Sequence, residues 1–149
     1  MKVIIIGGVA GGASAATRLR RLDEKAVIKI FEKSGYVSFA NCGLPYHIGD
    51  VISNRENLLL ETPGSFSKKF NIDVSVNSEV KSIDRINKRV IVKNLLTGEE
   101  FSENYDKLII STGTSPFIPP IEGLDKVDFL KLRNIEDIDY IKEYIKKRN

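Results

Sequence analysis

The sequence predicts an α/β fold in which a parallel sheet is interrupted by a small antiparallel β-meander. An apolar run at residues 3–6 passes directly into a glycine-rich turn and a helical pattern, and a second apolar run follows at residues 26–32. Residues 74–105 instead alternate polar and apolar side chains between turns. A strand, helix and strand within about thirty residues form a βαβ unit, whereas alternation is typical of antiparallel strands.

Length and composition limit the class of protein. The chain has 149 residues, 42% of them hydrophobic and 29% charged, with a net charge of +3. No apolar run approaches the roughly 18 residues that cross a bilayer, and the N-terminus lacks the features of a signal peptide, so we expect a cytoplasmic protein without a membrane partner. The mild, dispersed charge gives no indication of nucleic-acid binding, and no metal site is predicted.

The first helix is predicted from about residue 11 to residue 22 and carries two stripes at helical spacing. One stripe is apolar and is expected to pack against the sheet, whereas the other is polar and is expected to be free to bind or to be solvated. The apolar stripe consists of Ala15, Leu19 and Leu22, and the polar stripe of Ser14, Arg18 and Arg21.

The rest of the chain alternates between irregular and regular patterns. Residues 34–62 are punctuated by glycine and proline and leave room for short helices only. Antiparallel strands are predicted at 74–76, 79–84, 88–94 and 99–105, a buried strand at 106–111 and a helix at 135–147. We therefore expect a domain over residues 1–115, with its meander at about 74–105, and a connecting segment with a helix over 116–149.

The segment GGVAGG, residues 7–12, follows a strand and opens a helix, which is the context of a dinucleotide-binding turn. Gly7 and Gly12 occupy the first and last positions of the G-x-G-x-x-G pattern, while Val9 replaces the middle glycine. Glu32 ends the second strand, where an acidic residue accepts hydrogen bonds from an adenosine ribose. The pattern does not separate FAD from NAD, and the alternative is a turn needed only for helix–strand packing.

Cys42 is the only cysteine in the chain, so no intrachain disulfide can form. A lone cysteine is by default a small apolar core residue. A redox role for Cys42 requires a second sulfur from outside this chain. His47 is the only histidine, and we expect it to be a structural or surface residue.

Three segments resemble the FAD domain of the pyridine nucleotide-disulfide oxidoreductases, in particular the branch of coenzyme A disulfide and persulfide reductases. They read VIIIGGVAGGASAATRLRRL, FEKSGYVSFANCGLPYHIG and YDKLIISTGTSPFIPPIEG. The resemblance implies a Rossmann-like, FAD-binding domain in an incomplete form, the N-terminal part of an NAD(P)H-dependent flavoprotein that reduces CoA disulfide, persulfide or polysulfide. It also implies that the part lacks an NAD(P)H site and is inactive alone.

The resemblance assigns roles to individual positions. Cys42 is implied as the catalytic nucleophile that forms a mixed disulfide with CoA. The implied substrate contacts are Ser14, Arg18, Arg21, Ser38 and Asn41. The implied FAD contacts are Gly7, Gly8, Val9, Ala10 and Gly11 at the pyrophosphate, Glu32 and Lys33 at the ribose, the backbone of Val80 at the adenine, Thr112 and Gly113 near the pyrophosphate or flavin ring, and Arg133 at the flavin.

Alternatives remain open at several positions. The resemblance also admits an NADH oxidase or peroxidase that uses a Cys42 sulfenic acid, although Ala10 stands where those enzymes carry a histidine. A non-catalytic nucleotide-binding module is the other alternative. Arg133 is equally compatible with a surface arginine before a helix. The resemblance further implies a homodimer formed through a C-terminal domain outside this sequence.

Overall fold

The computed structural model describes residues 1–148 and divides them into two compact units. The first unit comprises Met1–Phe39 and Leu60–Gly113, and the second comprises Ala40–Leu59 together with the chain from Thr114 onward.

The first unit contains a four-stranded parallel sheet and a three-stranded antiparallel sheet. Its elements, in chain order, are β1 (Lys2–Ile6), α1 (Gly11–Leu22), β2 (Val27–Phe31), α3 (Pro63–Phe70), β3 (Asp73–Ser75), β4 (Ser78–Asp84), β5 (Arg89–Asn94), β6 (Glu100–Asn104) and β7 (Lys107–Ile110). The parallel sheet has the order β3-β2-β1-β7, and the meander has the order β4-β5-β6. The α/β class, the parallel sheet and the inserted meander are confirmed.

The core of the first unit lies on both faces of β1. Val3 and Ile5 contribute to one buried cluster, which α1 and α3 cover through Ala13, Ala16 and Phe66. The alternate residues of β1 contribute to a second cluster, which the meander covers through Val90 and Val92. Because successive side chains of a strand point to opposite faces, a strand covered on both sides must be apolar throughout, which explains the run at residues 3–6.

The structure corrects two expectations about these elements. Asp73–Ser75 pairs in parallel with β2 and belongs to the main sheet, whereas residues 74–76 were predicted in the meander. The buried residues of α1 are Gly12, Ala13 and Ala16. Of the predicted packing stripe, Leu19 packs against the core, whereas Leu22 is 68% exposed. Small residues let the helix approach the sheet closely, so the most buried face of α1 is lined by glycine and alanine rather than by large apolar side chains.

The second unit is built from short helices and one longer one. It contains the 3₁₀ turns Asn41–Gly43, Arg55–Leu58 and Leu124–Lys126, together with α2 (Leu44–Ile48) and α4 (Ile135–Lys146). In α4 the buried residues are Ile135, Ile138 and Ile141, which recur at helical spacing. The bidentate pair of Arg55 with Asp139, at 2.6 Å for both N–O distances, ties the second 3₁₀ turn to α4.

Candidate functional site

The glycine-rich turn between β1 and α1 has two positions that admit no side chain. Gly7 has a φ of +92°, and a Cβ there would lie 2.2 Å from the carbonyl oxygen of Ser111. A Cβ on Gly12 would lie 1.8 Å from the carbonyl oxygen of Gly7. Gly7 therefore makes the tight turn, and Gly12 makes the close approach of helix to strand, as expected of the first and last glycines of a dinucleotide-binding turn.

The N-terminus of α1 leaves its first backbone N–H groups without a side-chain acceptor. The N-cap residue is Ala10, which makes no side-chain cap hydrogen bond, and the first turn contains no acidic residue. A helix that begins in this way favours an anion, because its free N–H groups and its dipole both attract negative charge. The residues at this turn therefore fit a pyrophosphate.

Glu32 holds the glycine turn through its side chain. It is 8% exposed, and its Oε2 accepts a hydrogen bond from the backbone N–H of Gly8 at 2.7 Å. Its Oε1 accepts from the backbone N–H and the hydroxyl of Ser34, at 2.8 and 2.9 Å. The sequence did not indicate this supporting role. A carboxylate has about four lone-pair sites, so the contacts leave room for the predicted ribose hydrogen bond.

The other predicted cofactor positions of the first unit have different surroundings. Lys33 is exposed and pairs with Glu79 at 2.9 Å, and hydrogen bonds from Lys33 and Lys81 hold the pKa of the Glu79 carboxyl below its usual value. Val80 is half-buried in β4 and packs against the second apolar cluster. Thr112 and Gly113 follow β7 and are exposed.

The polar stripe of α1 lies in solvent as predicted. Ser14, Arg18 and Arg21 are exposed, and the two arginine side chains make no hydrogen bond or ion pair with the described part of the chain. Arg20 differs from them. Its Nε donates to the carbonyl of Phe70 at 2.8 Å and its Nη2 to the carbonyl of Asn71 at 2.7 Å, so it anchors α1 to the end of α3.

Ser38 connects the glycine turn to residue 60. Its φ is 49°, in the left-handed region, and its N–H donates to the carbonyl of Gly8 at 2.9 Å. Its own carbonyl accepts from the N–H of Leu60 at 2.9 Å. A non-glycine residue in this region is uncommon, and here the backbone bonds on both sides of Ser38 maintain it.

In the second unit, Cys42 is the central residue of the turn Asn41–Gly43. The Ala40 N–H donates to the Leu58 carbonyl at 2.8 Å, and the Gly43 N–H donates to the Ala40 carbonyl at 3.0 Å. A Cβ on Gly43 would lie 2.7 Å from Leu58 Cδ2, so the turn is closely packed on its inner side. Cys42 itself is exposed, which excludes the alternative that it is a core residue.

Two further residues of the second unit, His47 and Arg133, have side-chain hydrogen-bond partners. His47 is buried, and its Nδ1 lies 2.6 Å from the carbonyl oxygen of Ile52, so of the two predicted possibilities, a structural or a surface residue, the structure shows the first. Arg133 is half-buried, and its Nη1 donates to Asn41 Oδ1 at 3.4 Å. Its Nε donates to the carbonyl of Thr114 at 3.0 Å.

Residues 1–148 contain neither a candidate metal cluster nor a candidate membrane-spanning helix. In that range no cluster of three or more histidine, cysteine, aspartate or glutamate residues has the arrangement of a metal site. None of the helices described there combines the length and the apolar character needed to cross a membrane.

The chain is similar to known proteins over essentially its whole length. The family model described as pyridine nucleotide-disulphide oxidoreductase matches residues 1–149. A coenzyme A disulfide reductase from Staphylococcus haemolyticus is 44% identical over 144 residues, which cover 97% of this chain and 32% of that protein. The chain thus spans about a third of the length of this curated relative.

Two solved structures extend the comparison. The reduced CoADR-RHD of Bacillus anthracis superimposes with a TM-score of 0.94 at 49% identity, covering 99% of this chain and 27% of that one. A NAD-dependent persulfide reductase from A. fulgidus superimposes with a TM-score of 0.91 at 38% identity, with the same two coverages.

Proposed function

The chain belongs to the pyridine nucleotide-disulphide oxidoreductase family, and we propose that it is the FAD-binding, nucleophile-bearing part of an NAD(P)H-dependent reductase of CoA disulfide or CoA persulfide. Cys42 is the nucleophile. The observation that carries the proposal is that the only cysteine of the sequence is exposed on a closely packed turn. The names of the similar proteins, a coenzyme A disulfide reductase and a persulfide reductase, support the substrate class.

A single thiol suffices for this chemistry if the substrate brings the other sulfur. The Cys42 thiolate attacks one sulfur of CoA disulfide, a bond forms between Cys42 Sγ and that sulfur, and the second CoA leaves as a thiolate. The exchange is redox-neutral, since one disulfide replaces another. Two electrons are then needed to release the CoA that is bound to Cys42 and to regenerate the Cys42 thiol.

Residues of the first unit would hold FAD. The N–H groups at the start of α1 fit the pyrophosphate. The turn residues Gly7, Gly8, Val9, Ala10 and Gly11 are proposed to surround it. Glu32 and Lys33 are proposed at the ribose, Val80 at the adenine and Thr112 and Gly113 near the pyrophosphate or the ring. When bound, the flavin supplies the electrons that return the mixed disulfide to the thiol, drawn from NAD(P)H bound outside this sequence.

Residues with free polar groups would hold the substrate. Arg18 and Arg21 carry guanidinium groups that suit the phosphates of CoA, and Ser14 lies on the same stripe. Ser38 and Asn41 are proposed at the thiol end. Calorimetric titration with CoA tests the arginine assignment: replacing Arg18 and Arg21 with Gln weakens binding at least tenfold. The same replacement at the exposed Lys25 leaves binding unchanged, and equal affinity of all variants contradicts the assignment.

Uptake of FAD by the chain is tested with a charge change at Ala10. Ala10→Asp puts a carboxylate where the pyrophosphate is proposed, so flavin uptake in the visible spectrum falls, while helix stability is maintained or gains a few tenths of a kcal/mol. Ala10→Asn has nearly the same size without the charge and retains uptake. A wild-type chain that remains colourless with excess FAD, or an Ala10→Asp variant that binds it equally, contradicts the proposed pyrophosphate site.

The nucleophile is tested by intact-mass analysis. The reduced chain incubated with CoA disulfide gains one CoA, and Cys42→Ser gains none. The adduct forms faster with CoA disulfide than with a small neutral disulfide if the chain recognises CoA. Equal rates argue against CoA as the substrate. A stable sulfenic acid after peroxide treatment, together with no CoA adduct, supports the oxidase or peroxidase alternative instead.

A further inference from the structure

The backbone of Arg133 is held at the start of α4. Its N–H donates to Asp137 Oδ2 at 2.7 Å. The next residue, Asn134, caps the helix reciprocally: Asn134 Oδ1 accepts from the Asp137 N–H at 2.9 Å, and Asp137 Oδ2 accepts from the Asn134 N–H at 3.1 Å. Such a capping box fixes the direction in which the chain enters a helix. Arg133 therefore projects from a fixed point.

The guanidinium group of Arg133 is held at one side and contacts Asn41 at the other. Its Nε donates to the Thr114 carbonyl at 3.0 Å, and its Nη1 lies 3.4 Å from Asn41 Oδ1, which is a long hydrogen bond. Over residues 1–148, the guanidinium group makes no ion pair with a carboxylate. The group thus brings an unneutralised charge to a neutral amide rather than forming a structural salt bridge.

This contact determines which way the Asn41 amide faces. A guanidinium group has donors and no acceptor, so it must meet the oxygen of the amide and leaves the NH₂ group turned away. Within the described chain the Asn41 NH₂ group has no hydrogen-bond acceptor. Asn41 and Cys42 are consecutive residues of one 3₁₀ turn, and Cys42 is exposed. A free donor therefore stands one residue from the thiol.

We propose that Arg133 is a positioning residue, which fixes the Asn41 amide so that its NH₂ group donates to sulfur during thiol–disulfide exchange at Cys42. The inference rests on the proposed function, since it assumes that Cys42 exchanges with a disulfide. Negative charge spreads over the sulfur atoms as one S–S bond forms and another breaks. A donor that is already oriented stabilises this charge without reorganising at the moment of reaction.

A double-mutant cycle tests the inference in the full 149-residue chain. The measured quantity is the rate at which CoA disulfide forms the Cys42 adduct, followed by intact mass. Arg133→Gln releases the Asn41 amide, and Asn41→Ala removes it. Because each change costs the same hydrogen bond to sulfur, each slows exchange about tenfold, and the double variant is no slower than Asn41→Ala. A purely structural role for Arg133 does not predict this non-additivity.

The outcomes separate this inference from the proposed function. A wild-type chain that forms no CoA adduct overturns both. A wild-type chain that reacts while Arg133→Gln retains its rate, or whose two effects add, overturns the positioning role and leaves the nucleophile in place. If thermal unfolding shows that Arg133→Gln does not fold, Arg133→Met, which keeps a long side chain without donors, takes its place in the cycle with the same two outcomes.

Discussion

The buried carboxylate of Glu32 accepts a hydrogen bond from the backbone N–H of Gly8, at 2.7 Å, and so links the end of β2 to the glycine turn. The same carboxylate accepts from the N–H and hydroxyl of Ser34. Two of these partners, the N–H groups of Gly8 and Ser34, can only donate, and each meets a different carboxylate oxygen, so both side-chain atoms must be acceptors.

Glu32→Gln therefore destabilises the chain even without a cofactor. A glutamine has one oxygen, so its NH₂ group must face a backbone N–H, and the lost and unsatisfied hydrogen bonds cost about 2 kcal/mol. The free energy of unfolding in urea measures this. Glu79→Gln is the matched control, since its partners Lys33 and Lys81 are exposed and the loss of a solvent-screened pair should have a much smaller effect. If Glu32→Gln and Glu79→Gln lower the free energy of unfolding equally, the hydrogen bonds of Glu32 do not stabilise the fold as proposed.

Gly12→Ala and Gly64→Ala should act in opposite directions, although both glycines lie in helices. A Cβ on Gly12 would be 1.8 Å from the Gly7 carbonyl oxygen, whereas the nearest atom to a Cβ on Gly64 is 3.9 Å away. We expect Gly12→Ala to cost about 3 kcal/mol or more through backbone displacement. Gly64→Ala should gain up to about 1 kcal/mol through helix propensity. Thermal unfolding of both variants checks the pair, and a harmless Gly12→Ala contradicts the close helix–strand approach.

Replacing Arg20 should destabilise the chain, whereas replacing its neighbour Arg21 should have little effect. The Arg20 guanidinium donates to the carbonyls of Phe70 and Asn71, and also to those of Asp23 and Glu24 at the end of α1. Arg20→Gln is expected to lower the free energy of unfolding by about 2 kcal/mol, because hydrogen bonds from a charged donor are lost. Arg21→Gln, at an exposed position, should change it by less than about 0.5 kcal/mol. A stability loss at Arg21 comparable to that at Arg20 would contradict the anchoring role.

Stability should fall in acid partly through Glu103. Burial raises the pKa of the Glu103 carboxyl, but the Lys2 and Lys29 ammonium groups lower it more, so its net pKa lies below the ordinary 4.5. Between the folded-state pKa and pH 4.5, the unfolded chain therefore binds more protons than the folded chain does. The stabilisation by Glu103 is complete above pH 4.5 and is lost as the pH falls through the folded-state pKa.

Urea unfolding of Glu103→Gln across this range measures the contribution. The variant should be less stable than the wild type at pH 7, by about 1 kcal/mol or less, and the difference should shrink as the pH is lowered. Glu99→Gln provides the control, because Glu99 is exposed and has no ion pair within residues 1–148. A difference that is constant with pH would show that the charge of Glu103 is not responsible.

The glycine turn and its flanking elements could be predicted from the sequence because they depend on neighbours along the chain. The apolar run of β1, the turn and the start of α1 at Gly11 all follow from local patterns. The helix α3 was not predicted. Its signal was present in Thr62, Pro63 and Ser65, which form a capping box with proline at the first helical position.

The sequence by itself determined the α/β class, the dinucleotide-type turn and the presence of one thiol without a partner cysteine. Only the tertiary structure decided which arginine of α1 is anchored, which strand Asp73–Ser75 joins, and that Arg133 meets Asn41 across 92 positions of sequence. The physical reason is that glycine sterics and strand periodicity act between nearby residues. Hydrogen bonds from a long side chain instead depend on which distant carbonyl or amide the folded backbone brings within reach.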